Sequence, residues 1–187
     1  MSEILNYINE QVAAIKSVEA RQLKSLADDI TRCSEEGGIL WIAGNGGSAT
    51  TAAHFATDLS KGCFVNNDVQ IRAICLNEFL GVTTAWANDF GFEDALGNQL
   101  RSLAHSKDYL MIISGSGNSE NLIRLANQAK RMQIKIVTLL GMGGGRLKGL
   151  GKTEVIINSN DMQVVETTHV HVLHAIFKIM TSEKENC

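Results

Sequence analysis

Proline is absent from this 187-residue chain, where average usage of about 5% would supply about nine. Sharp turns must therefore rest on glycine, of which there are 17. The four cysteines, Cys33, Cys63, Cys75 and Cys187, are widely spaced and form no CxxC pair. That spacing argues against a disulfide framework or a zinc knuckle and predicts four free thiols. No apolar run approaches the roughly 18 residues of a membrane span, and the opening MSEILNYINE lacks the basic and then apolar layout of a signal peptide. A cytoplasmic protein with no membrane partner is expected. An excess of positive charge is missing too: 17 Lys and Arg stand against 20 Asp and Glu, a net charge of -3. A chain of that balance has no broad phosphate-neutralising surface, so nucleic acid is not the expected partner. The length and the 44% hydrophobic content suit one domain over residues 1–187, with no linker, charge block or low-complexity segment.

Residues 2–34 contain neither glycine nor proline, and Ile4, Leu5, Ile8, Val12, Ile15, Leu23, Leu26 and Ile30 recur at helical steps, with a weak patch around Ser17 to Gln22. This predicts one long helix or two stacked ones. Unbroken, it would be about 45 Å long, more than a small domain's diameter, so residues 1–34 read as an oligomerisation segment and 35–187 as the core. Short apolar runs follow at Ile39 to Ala43, Ile71 to Leu76, Tyr109 to Ile113, Ile134 to Leu140 and Val155 to Ile157. Five buried strands alternating with helices, one from about Ser48 to Ser60 and a last from about Asp161 to Met180, predict an α/β fold with a five-stranded parallel sheet.

Two segments match at an offset of 71 residues. Ile42-Ala43-Gly44-Asn45-Gly46-Gly47-Ser48 aligns with Ile113-Ser114-Gly115-Ser116-Gly117-Asn118-Ser119, pairing Gly44 with Gly115, Gly46 with Gly117 and Ser48 with Ser119. Each joins the carboxyl end of a strand to the start of a helix, where unpaired N–H groups and the helix dipole favour an anion and glycine admits it closely. The hydroxyls of Ser48, Ser114, Ser116 and Ser119 add neutral donors, as a bound phosphate requires. A single such loop is as well explained by a glycine turn with a serine cap; the duplicated pair favours an anion site. Gly44, Gly46 and Ala49 satisfy G-x-G-x-x-A, but no acidic residue follows about 20 positions on, which argues against a dinucleotide. Gly151-Lys152-Thr153 lacks the earlier glycine of a P-loop. The run Gly141 to Gly145 reads as a strand-to-helix turn in preference to a third anion site.

His54 and Asp58 are four residues apart and share a helix face within about three turns of the first loop. Spacing alone also fits a solvated ion pair. On the last helix Glu166 and His174 are eight residues apart, about 80° around the axis and about 12 Å along it, so they converge only if both lean inward. His169 sits about 140° from His174 and His171 about 140° from Glu166, so all four cannot face one site and at least one histidine is structural or exposed.

Together the strand-GNGGSA-x4-H opening, the ISGSGNS loop, the Ala87-Asn88-Asp89-Phe90-Gly91 segment and the terminal helix with its histidine resemble the sugar isomerase (SIS) domain family. The likeness spans nearly the whole chain. It implies a homotetramer with active sites between subunits, a sugar-phosphate substrate, and a zinc or other divalent cation. Ser48, Ser114, Ser116 and Ser119 match phosphate-binding serines, Asn45, Gly46, Gly47 and Gly115 lie in the same loops, and Asp89 matches a residue near the sugar. His54, Asp58, Glu166 and His174 fall where the family places metal ligands and its acid/base pair, with Asp58, Glu166 and His174 the catalytic candidates. Two positions depart from the usual pattern, Asp58 replacing Glu and Glu166 replacing Gln. The implied reaction moves a proton between C1 and C2 of sedoheptulose 7-phosphate through an enediol; the alternatives are another phosphosugar isomerase, or a non-catalytic scaffold of the same fold that binds a replication initiator.

Overall fold

The computed structural model describes residues 1–67 and 70–182. The strands are Leu40–Ala43 (β1), Ala73–Cys75 (β2), Tyr109–Ser114 (β3), Lys135–Leu140 (β4) and Thr153–Ile156 (β5). They form one parallel sheet in the order β2-β1-β3-β4-β5, with Leu40 beside both Ala73 and Tyr109, Tyr109 beside Lys135 and Val137 beside Thr153. The helices are Ser2–Lys16 (α1), Ala20–Glu35 (α2), Gly46–Thr57 (α3), Phe64–Asn67 (α4), Leu80–Phe90 (α5), Phe92–Leu103 (α6), Glu120–Arg131 (α7) and Met162–Thr181 (α8). A π-helical turn, Asp58–Cys63, carries α3 into α4.

Strand residues alternate between two cores, as the two-residue period of a strand requires. Leu40, Ile42, Tyr109, Met111, Val137 and Leu139 pack under α2, α3 and α8, together with Leu26, Ile30, Phe55, Val165 and Leu173. Trp41, Ala43, Leu110, Ile112 and Ile136 pack under α6 and α7, with Leu96, Leu100, Leu122 and Leu125. The helix after β1 thus lies on one face and the helix after β3 on the other. The carboxyl edge between β1 and β3 is therefore the topological switch point, where open α/β sheets form their ligand crevice.

The N-terminal segment is two helices. Ser17 turns its hydroxyl to the Ala14 carbonyl at 2.7 Å, and Glu19 is extended, so the chain breaks inside the weak patch of the apolar stripe. α1 lies against α8 through Gln11, whose amide donates to the Thr168 hydroxyl at 2.8 Å. Ile4, Leu5, Ile8 and Val12 remain exposed, and α5 buries no residue at all.

One expectation is corrected. Gly141 to Gly145 does not lead into an α-helix; it enters a 3-10 segment, Met142–Leu147, in which Gly143, Gly144 and Gly145 have φ of 75°, 90° and 51°, and the chain goes on to β5. Three consecutive left-handed residues cannot continue a right-handed helix. The run instead braces the second loop: a Cβ on Gly117 would lie 2.0 Å from the Gly144 carbonyl oxygen. The helix after β1, α3, also begins two residues earlier than expected, with Gly46 and Gly47 in its first turn. Cys33, Cys63 and Cys75 are buried free thiols, and burial raises the Cys33 pKa to about 11. Cys187 lies outside the described residues. Among those residues no helix is long and apolar enough to cross a membrane.

Candidate active site

β1 and β3 are neighbours, so the two matched loops that follow them stand side by side. Asn45 and Asn121 tie them together with reciprocal amide hydrogen bonds of 2.9 and 2.8 Å, and Asn121 is buried. Asn77 brackets the first loop, accepting from the Gly44 N–H at 3.1 Å and donating to its carbonyl at 2.9 Å. Gly44 is required by packing, since a Cβ there would lie 2.6 Å from the Ser48 backbone. In the second loop the Ser114 hydroxyl accepts from the Gly117 N–H at 3.0 Å and the Ser116 hydroxyl from the Asn118 N–H at 3.2 Å. Both hydroxyls keep a proton to donate. Ser119 caps α7 by position, yet its side chain makes no capping bond, and Ser48 is buried in the first turns of α3.

α8 starts firmly, because Asp161 accepts from the N–H groups of Gln163 at 2.8 Å and Val164 at 3.1 Å, a cap worth about 1 kcal/mol. The helix runs alongside α3 in the same direction. Glu166 meets Gly47, where a Cβ would lie 2.7 Å from the carboxylate, and His174 meets His54 and Asp58 further on. His54 Nε2 is 3.5 Å from Asp58 Oδ2, and His174 Nε2 is 3.6 Å from the same oxygen. The two rings stand edge to face with centroids 5.0 Å apart. Asp58 opens the π turn, and wide turns of this kind recur at functional sites.

The structure thus brings His54, Asp58 and His174 together, with ligand atoms all within 4.8 Å of one another. Two imidazoles and a carboxylate are a donor set suited to zinc. Ligands 2.0–2.1 Å from one tetrahedral zinc are about 3.3 Å apart, close to the two observed separations, so the cluster fits a divalent cation. Glu166 stands apart from it at the amino end of α3, where the helix dipole favours a carboxylate. Asp89 is not brought to the loops within one chain; it lines a concavity on α5 with Gly81, Val82, Ala85, Trp86 and Phe90. His171 is exposed and its Nδ1 stays with the Thr167 carbonyl at 2.9 Å. Sequence reasoning missed Asn77 and Asn121. The only signal for Asn121 was a polar residue within the apolar stripe of α7.

His169 points into the core. Burial pushes its pKa down to about 4; the Leu140 carbonyl, near the ring but outside hydrogen-bonding geometry, opposes this only weakly. The unfolded chain takes up this proton near pH 6.5 and the folded chain only near pH 4, so the contribution is complete above pH 6.5 and is lost as pH falls toward 4. Urea unfolding should show about 2 kcal/mol less stability from this residue at pH 5 than at pH 7. His169→Leu should flatten that pH dependence; an unchanged slope would mean that the ring is solvated.

A doubly wound parallel sheet with paired glycine-serine loops at its switch point defines an α/β domain built around a ligand crevice. This one belongs to the SIS domain family, whose model matches residues 4–141. The chain is 36% identical over 184 residues to the phosphoheptose isomerase of Leptospira biflexa, covering 94% of each chain. It is 34% identical to that of Helicobacter pylori, covering 91% of this chain and 89% of the relative. Among solved structures, the phosphoheptose isomerase of Neisseria gonorrhoeae superposes with a TM-score of 0.83 at 27% identity, over 96% of this chain and 95% of that one.

Proposed function

We propose that this phosphosugar isomerase interconverts sedoheptulose 7-phosphate and D-glycero-D-manno-heptose 7-phosphate, in the cytoplasm, to supply heptose for surface polysaccharide. The observation that carries the reading is the His54, Asp58 and His174 cluster on helices that start beside the paired loops. The loops hold the phosphate through their N–H groups and the hydroxyls of Ser48, Ser114, Ser116 and Ser119. His54 lies about 9 Å along α3 from Ser48, which suits a sugar anchored by its phosphate with C1 and C2 at the far end.

The chemistry balances without an external oxidant. A proton leaves C1 of the ketose as one reaches the C2 carbonyl oxygen, giving the enediol; a proton then reaches C2 as the C1 hydroxyl loses its own, leaving the aldehyde. His174 handles one of these transfers and the Asp58 carboxylate the other, each needing only a positioned group that can gain and release a proton. His54 and the carboxylates of Asp58 and Glu166 would hold the cation, which leaves the His174 ring nitrogen that faces Asp58 free to carry its proton. Such a cation would stabilise negative charge on the substrate oxygens.

The function is tested by proton NMR in heavy water: sedoheptulose 7-phosphate should exchange a C1 proton with solvent and build up the aldose carrying deuterium at C2. If no ketose phosphate in a panel shows exchange, the isomerase reading fails and the scaffold reading takes its place.

The proposed assembly is a homotetramer with sites between subunits. The uncovered apolar stripe of α1 supports it, as does α5, in which no residue is fully buried and Leu80, Val82 and Phe90 are exposed, because exposed apolar faces of this extent mark association surfaces. An assembly in which α5 of one chain covers the crevice of another would bring Asp89 to a sugar. Light scattering should give four times the 20.3 kDa chain mass, and removing residues 1–30 should cause dissociation or aggregation. A stable, active monomer would rule out shared sites.

A further inference from the structure

On the sheet face opposite the His54, Asp58 and His174 cluster, α6 and α7 enclose a second concavity of about 380 Å³. Each helix lines it with a polar stripe at steps of three and four. α6 presents Asp94, Gly97, Asn98 and Arg101; α7 presents Arg124, Asn127, Gln128 and Arg131. Such steps keep side chains on one helix face, so the two stripes look at each other across the groove. Three guanidinium groups and one carboxylate give the lining a charge of +2 on a chain whose net charge is -3.

The arginines are not equally engaged. Arg124 is held on both sides, by Asp94 at 2.7 Å and by Glu120 at 3.2 Å. Arg131 donates to the Gln128 side-chain oxygen at 3.2 Å, and Arg101 has no ion pair among the described residues. Arg101 and Arg131 sit in the last turns of α6 and α7, where the helix dipole favours a cation. The dipole accounts for one arginine on each helix. Asp94 and Glu120 account for Arg124; neither they nor the dipole account for three amides on the same groove beside two guanidinium groups that have no carboxylate partner among the described residues and repel until an anion intervenes.

The geometry points to this groove as a binding site for a small anion that carries two phosphates, of the class of a nucleoside diphosphate. Arg101 and Arg131 offer planar forks that match phosphate oxygens, and two uncommitted cations suit two phosphates better than one. Asn98, Asn127 and Gln128 can both donate and accept, as recognition of sugar hydroxyls or a base edge requires. The volume falls within the range of about 300–1,000 Å³ of small-molecule sites. The site also adjoins the second glycine loop: Glu120, which binds Arg124, binds Arg146 at 2.8 Å, and the Arg146 N–H donates to Asn118 of that loop at 3.1 Å.

The test is isothermal titration calorimetry at fixed ionic strength, with ADP as the probe and inorganic phosphate as the comparison. Wild type should bind one ADP per chain, and Ser116→Ala with Ser119→Ala should leave that affinity unchanged. Arg101→Ala with Arg131→Ala should weaken it at least 10-fold, the scale expected for loss of charge-assisted hydrogen bonds, while circular dichroism and melting temperature stay as in wild type. Inorganic phosphate should bind this site at least 10-fold more weakly than ADP. An ADP affinity unaffected by the arginine substitutions, abolished by the serine substitutions, or absent in wild type up to millimolar concentration would overturn the assignment. Equal affinity for inorganic phosphate would overturn the requirement for two phosphates.

Discussion

Replacing His174 by glutamine is expected to lower turnover by roughly 100- to 10,000-fold while the sugar phosphate still binds, the usual effect of losing a positioned proton carrier. The side chain is half exposed and its ring faces Asp58 and His54 rather than the core, so its removal leaves no cavity. Glutamine keeps a polar head of similar reach but cannot gain and lose a proton near neutral pH. The assay belongs at saturating zinc, so that a weakened ligand is not mistaken for a lost acid or base. Turnover should collapse with little change in KM, because phosphate binding rests on the loops at the other end of α3. A variant that turns over at the wild-type rate would remove His174 from the chemistry and leave the cluster as a metal site or an ion pair.

How much of this was legible beforehand depends on the range of the interactions concerned. The first four strands are short apolar runs because a parallel sheet covered on both faces has no polar side to show, and they fall where those runs lie; β5, at the sheet edge, begins two residues ahead of its run, with Thr153 and Glu154. The matched loops were visible because glycine spacing is local. The break near Ser17 was foreshadowed by a gap in the apolar stripe, but whether that gap bends or breaks a helix depends on what α1 packs against. That partner, α8, lies some 150 positions away in sequence and is reached through Gln11 and Thr168.

The third glycine run was misread for a related reason. Its residues allow many turns, and the choice is made by Gly117, whose missing side chain leaves room for the Gly144 carbonyl. Helical geometry likewise put His54 and Asp58 on one face, yet it could not say that His174 rather than Glu166 would join them. That outcome follows from the parallel course of α3 and α8, which sets position 166 against Gly47 and position 174 two turns further on. Asn45 was legible as a loop residue, and its bond to Asn121 was not, since the partner comes from the first turn of α7, after the neighbouring strand β3.

His54→Ala should cost more in metal binding than in folding. The imidazole is half exposed and contributes one of the three clustered ligand atoms, so its loss should weaken cation affinity by more than about 100-fold, beyond the 10- to 100-fold typical of an outer-shell partner. Wild type dialysed against chelator should melt lower and recover when zinc is added, because a ligand that binds only the folded chain stabilises it in proportion to the logarithm of its concentration. The alanine variant should show no such recovery at the same zinc concentration, and metal analysis after dialysis should find it empty. Its activity should return in part at high zinc if the imidazole serves mainly as a ligand, which separates it from His174→Gln, whose defect zinc cannot repair. If the dialysed wild type gains nothing from zinc, manganese or cobalt, the three side chains form only the weak ion pairs that their 3.5 and 3.6 Å separations also permit. The isomerisation would then have to run on proton transfer alone.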